Sequence, residues 1–182
     1  MIGGELLTKI TIWKAVAGYV VGAAAYALSR RRVGWERAAR LVWTVACAAL
    51  FAHVACAFQF YHGWSHGAAY LDTARQTHEM FGLDWGGGLY LNYALMAGWV
   101  VDVTCWWLGG PDSYGRRWWP LKAVWHGFLL FIFFNATVVF KDGLARWAGL
   151  GVCLGVCLAW WLAARDHLTR RAGARSPALA ED

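Results

Sequence analysis

Residues 30–60 read Arg30-Arg31-Arg32-Val33-Gly34-Trp35-Glu36-Arg37-Ala38-Ala39-Arg40, then Leu41-Val42-Trp43-Thr44-Val45-Ala46-Cys47-Ala48-Ala49-Leu50-Phe51-Ala52-His53-Val54-Ala55-Cys56-Ala57-Phe58-Gln59-Phe60. The second half carries no Asp, Glu, Lys or Arg over a length of about 20 residues, which is what an α-helix needs to cross the hydrocarbon core of a bilayer. The first half concentrates arginines immediately before it. An uncharged apolar run flanked by arginines reads as a membrane helix whose leading end is held on the cytoplasmic side.

The same reading extends along the chain. Further apolar stretches fall at Ile10–Ser29, Gly87–Leu108, Ala123–Phe140 and Leu144–Ala164. With Leu41–Phe60 they predict an all-α, polytopic membrane bundle of about five transmembrane helices in a single membrane domain. Composition agrees: of 182 residues 59% are hydrophobic and only 15% charged, against about 25% charged in ordinary soluble domains. Glycine (21) and tryptophan (14) are abundant, as expected where helices approach closely and indoles sit at membrane interfaces.

Orientation follows from the basic residues. Arg30, Arg31, Arg32, Arg37 and Arg40 follow the first stretch. Arg116, Arg117 and Lys122 lie between the third and fourth, and Arg165, Arg170, Arg171 and Arg175 follow the fifth. The other side holds Lys9, Lys14, Arg75, Lys141 and Arg146. This asymmetry predicts N-out/C-in, as in a bacterial inner membrane. Two tryptophan groups match it, with Trp43, Trp106, Trp107, Trp118, Trp119, Trp125, Trp160 and Trp161 inside and Trp13, Trp64, Trp85 and Trp147 outside. A cleaved signal peptide ending near Ala25-Tyr26-Ala27 would put the arginine-rich loop outside and break the charge rule. The net charge of +6 is a topology signal, not a nucleic-acid surface, because the arginines flank apolar runs.

Gly18 with Gly22, and Gly151 with Gly155, have the small-xxx-small spacing that lets helix backbones touch, within the chain or in a homo-oligomer. The cysteines (5 in all: Cys47, Cys56, Cys105, Cys153, Cys157) lie in apolar segments without a Cys-x-x-Cys pair and read as packing residues. Residues 172–182 read as a small, polar, disordered tail.

Chemistry concentrates in the outer loop, residues 61–86, which contains His62, His66 and His78 of the 6 histidines. His62 and His66 are spaced to share one face of a helix, and imidazole is a frequent ligand of Fe, Cu and Zn. Residues 68–80 predict a short amphipathic interfacial helix that could fold His78 and Glu79 over the His62–His66 pair, with Asp72 as a further candidate ligand. The plainer alternative is that these histidines satisfy interfacial hydrogen bonds. Haem between His53 and His126 is disfavoured, because their depths differ by about 13 Å at about 1.5 Å per residue.

Within the helices, Asp102 and His126 fall at similar depth on neighbouring segments and are expected to pair, since a charge in the bilayer normally finds a partner. His53, Asn92 and Asn135 lie nearer the outer side and would line a polar pocket under the loop. The three glycines Gly86-Gly87-Gly88 fit a sharp re-entry into the membrane better than an anion-binding turn, and no phosphate-loop pattern is present. Three functions follow as expectations: a metal or haem protein, perhaps redox, centred on the outer histidines; a non-catalytic subunit or assembly factor of a larger membrane complex; or a small transporter using Asp102 and His126.

Overall fold

The computed structural model describes residues 2–29, 35–110, 113–139 and 143–175, and every element among them is helical. The order is α1 (Ile2–Ser29), α2 (Trp35–Ala57), α3 (His66–Phe81), α4 (Gly88–Gly109), α5 (Ser113–Arg116), α6 (Trp119–Phe134) and α7 (Gly143–Arg175). A π-helical turn, Phe58–His62, ends α2, and another, Asn135–Val139, ends α6. The Arg30–Arg32 cluster, Lys141 and the tail from residue 176 lie outside the described residues.

Among the described residues, three helical stretches are long and apolar enough to cross a membrane: Gly3–Tyr26, Trp35–His62 and Trp119–Val139. α4 has the length, 22 residues, but Asn92, Asp102 and its Tyr and Trp residues lower its apolarity. The helices also outrun the apolar stretches of the sequence. α1 begins at Ile2, α2 at Trp35, and α7 continues to Arg175, through part of what the sequence suggests as tail. Apolarity marks the part of a helix that lipid can cover, whereas Ala, Arg and Glu at its ends carry the backbone ladder on into water.

Glycine sets the first helix pair. A Cβ on Gly18 would lie 2.7 Å from the Cβ of Ala46, and one on Gly22 would lie 3.1 Å from the Trp43 ring. The small-xxx-small pair of α1 therefore serves intrachain packing against an antiparallel α2. By contrast, a Cβ on Gly151 or Gly155 would meet nothing within 4 Å. Gly98 of α4 performs the same service for Trp125 of α6, whose ring would lie 2.6 Å from an added Cβ.

The interior is aromatic. Trp99, Trp106 and Tyr19 are almost wholly buried, with Leu95 and Leu129. Trp43 lies 5.2 Å from Trp99 and 5.5 Å from Tyr19, ring centre to ring centre, so α1, α2 and α4 meet on these rings. Tyr19 also meets Phe133 of α6 at 5.1 Å. Tilted contacts of this kind suit ring quadrupoles. The outward faces are apolar as well, including Leu7, Val45, Val101, Val124 and Leu154, which suits a lipid surround and would be a liability in water.

Candidate functional site

Ser65 opens α3 by accepting a hydrogen bond from the Ala68 N–H at 3.2 Å, and Gly82, with φ 68°, closes it. The helix is the short one expected at 68–80, slightly longer, and it is continuous. His66 and His78 therefore sit near its two ends, roughly 18 Å apart at about 1.5 Å rise per residue. His62 lies on the other side of a turn in which Gly63 and Trp64 both have positive φ, 54° and 60°. That turn breaks the helical spacing that would place His62 and His66 on one face. Nδ1 of His66 is 3.1 Å from the Tyr93 hydroxyl, and Nδ1 of His78 is 3.0 Å from an Asp84 carboxylate oxygen. Glu79 is exposed. Among the described residues, no three His, Cys, Asp or Glu side chains come together as a metal-ligand group.

The three residues expected to line an outer-side pocket, His53, Asn92 and Asn135, have different surroundings. His53 places Nδ1 3.0 Å from the Thr8 carbonyl, joining α2 to the start of α1. Asn135 donates to the Phe131 carbonyl of its own helix at 2.8 Å, and Asn92 is exposed. Back-bonding by Asn135, and by Thr137 to the Phe133 carbonyl at 2.6 Å, competes with the main-chain ladder where α6 loosens into its π turn.

Towards the arginine-rich end the polar groups do converge. Asp102 is buried on α4 and accepts from the Trp43 indole N–H at 2.7 Å. Its other carboxylate oxygen is paired with Arg117, which also donates to the Asp102 carbonyl at 2.9 Å. The Arg117 guanidinium lies 4.6 Å above the Tyr114 ring centre. The Tyr114 hydroxyl is 2.6 Å from Nε2 of His126. Asp102 and His126 thus bond not to each other but to successive members of one chain: Trp43, Asp102, Arg117, Tyr114, His126. Burial pushes the Tyr114 hydroxyl well above the ordinary phenol range, so it remains a protonated donor.

This chain borders a cavity of about 610 Å³ between α1, α6 and α7, within the usual range for small-molecule sites of about 300–1,000 Å³. Gly22, Ala23 and Ala24 form its α1 wall, Val152, Gly155 and Val156 its α7 wall, and Trp43, Trp106, Tyr114, His126 and Trp160 its aromatic end. Among the described residues, Lys122 is the one formally charged residue in the lining. His126 lies 5.1 Å from Trp160 and 5.7 Å from Trp43, ring centre to ring centre.

The sequence shows Asp102 and His126 but not Tyr114 or Arg117 as site residues. Arg117 stands among arginines that already serve as a topology signal, and Tyr114 among interfacial aromatics. The usable hint is proximity: Arg117 follows Asp102 across a short loop, and a buried carboxylate needs a cation. Compared with known proteins, the chain matches no family model, no curated protein and no solved structure.

Proposed function

We propose that the chain is a five-span membrane protein, N-out/C-in, that holds a lipid-soluble small molecule in the cavity between α1, α6 and α7. The cavity itself carries this reading: a space of about 610 Å³ with apolar walls and a few converging polar groups at one end, the usual form of a ligand site. The five-span count adds α4 and α7 to the three most apolar helices. Its support is their length, 22 and 33 residues, and a charge asymmetry that every loop obeys only when both cross. The same asymmetry favours a membrane that faces cytoplasm, such as a bacterial inner membrane. The outer histidines are read as interfacial hydrogen-bonding groups, with His66 on Tyr93 and His78 on Asp84 as the support.

Gly155→Phe provides the test, because Gly155 lines the cavity and a Cβ there meets nothing within 4 Å, so a larger side chain can be added at the cavity wall. Detergent-purified protein is extracted with organic solvent and the extract analysed by mass spectrometry. Wild type should yield a defined amphiphile near one per chain, and Gly155→Phe should lose it while keeping its helicity. Equal extracts from the two proteins would remove the cavity reading.

A further inference from the structure

We propose that the molecule held in this cavity has a flat, uncharged ring bearing a carbonyl oxygen as its head, of the quinone class, with an apolar tail. This rests on the cavity reading above and concerns what the cavity selects. The walls of the cavity differ. Gly22, Ala23 and Gly155 carry no bulky side chains on the α1 and α7 walls, which suits an apolar tail. Rings gather around Tyr114 and His126, and a planar head can lie against them in offset or tilted contact.

Hydrogen-bond accounting selects the carbonyl. Tyr114 and His126 share one bond, at 2.6 Å, and Nδ1 of His126 is buried without a partner. A neutral imidazole carries one N–H. If the tyrosine donates to Nε2, the histidine proton is on Nδ1 and is an unused donor. If Nε2 donates to the tyrosine oxygen, the tyrosine O–H is the unused donor. Nδ1 itself has almost no accessible surface, so the donor the pair can offer to the cavity is the Tyr114 O–H, free when Nε2 is the donor to the tyrosine oxygen; a buried donor left unpaired carries a penalty that an arriving acceptor relieves. A ring carbonyl is such an acceptor and brings no charge.

A phosphate head fits less well. Among the described residues Lys122 is the one formally charged residue in the lining, and its ammonium already lies 3.5 Å from the Tyr114 carbonyl. Arg117 is committed to Asp102, and Arg40 donates to the Trp106 carbonyl at 3.4 Å. Withdrawing an anionic head from water into such a lining is expensive without several donors.

The experiment uses the full chain in detergent micelles and three probes: a decyl-substituted benzoquinone, decylbenzene, and phosphatidylglycerol with brominated acyl chains. Competition for the site is read from quenching of tryptophan fluorescence, with Gly155→Phe as the blank for non-specific partition. The quinone should bind about tenfold more tightly than decylbenzene, about the value of one good hydrogen bond. A Tyr114→Phe/His126→Phe double variant, which keeps both rings, should remove that advantage while binding decylbenzene as wild type does. The unchanged decylbenzene affinity shows that the variant is folded with its cavity intact. Equal wild-type affinity for quinone and decylbenzene would overturn the quinone assignment and leave the cavity reading standing. Displacement of both by the brominated lipid at lower concentration would overturn it in favour of an anionic lipid. No Gly155-dependent binding of any probe would overturn the cavity reading itself.

Discussion

The indole N–H of Trp43 on α2 donates to the carboxylate of Asp102 on α4 at 2.7 Å, with Arg117 on the other carboxylate oxygen. One acidic group thereby ties α2, α4 and the segment after α5 together. Asp102→Ala should destabilise the protein by about 3–5 kcal/mol, the usual effect of removing one partner of a buried ion pair. Asp102→Asn, which can still accept from Trp43, should cost less. Thermal unfolding in detergent measures both. An Asp102→Ala/Arg117→Met double variant should recover part of the loss, because it leaves no unpaired cation; strict additivity would show that the pair is not coupled.

Helix spacing gives a second test. Gly18→Ala forces its new methyl to within 2.7 Å of Ala46 Cβ, an overpacking worth about 1–3 kcal/mol. Gly151→Ala has nothing within 4 Å to strike and should be neutral or slightly stabilising, since alanine is the better helix former. The difference between the two unfolding temperatures is the measurement. A comparable loss at Gly151 would mean that another chain covers that face of α7.

Topology can be read with a reporter enzyme active only outside the cytoplasm, fused after Asp84, Arg117 or Gly143. Five spans predict activity at Asp84 and Gly143 and none at Arg117, because α4, α6 and α7 all cross. A three-span chain in which α4 does not cross would give activity at Arg117 and none at Gly143.

The outer histidines should matter little to stability. The His78–Asp84 pair is exposed on both sides, and such pairs contribute about 0–1 kcal/mol. His66→Ala and His78→Ala should therefore each shift stability by less than about 1 kcal/mol and leave the metal content of the purified protein unchanged. Loss of stoichiometric iron, copper or zinc in either variant would restore a metal centre in the outer loop as the better account.

Much of the architecture is legible in one dimension because lipid imposes a one-dimensional rule. Each crossing segment must be helical and mostly apolar, since no water is present to satisfy its backbone, so residues 41–60 mark a helix whatever they pack against. The Ser65 cap and the helix of α3 are likewise local matters. The candidate site is not local. His62 and His66 have metal-ligand spacing in sequence, but Gly63 and Trp64 turn the chain between them. His66 and His78 share one unbroken helix, whose rigidity keeps them apart. For Asp102, sequence indicates that a partner is required, but the one expected from depth, His126, is not taken; Arg117 and Trp43 are.

The sequence by itself determined that this chain is helical, suited to a membrane, and obliged to pair its buried carboxylate, because these follow from hydropathy, length and the penalty on lone charge. Only the tertiary structure decided that Asp102 takes Arg117 and Trp43, that His126 takes Tyr114, that Gly18 and Gly22 serve α2, and that a cavity lies beside Gly155. Those outcomes depend on which helix faces meet, and the spacing that marks a face does not name its partner.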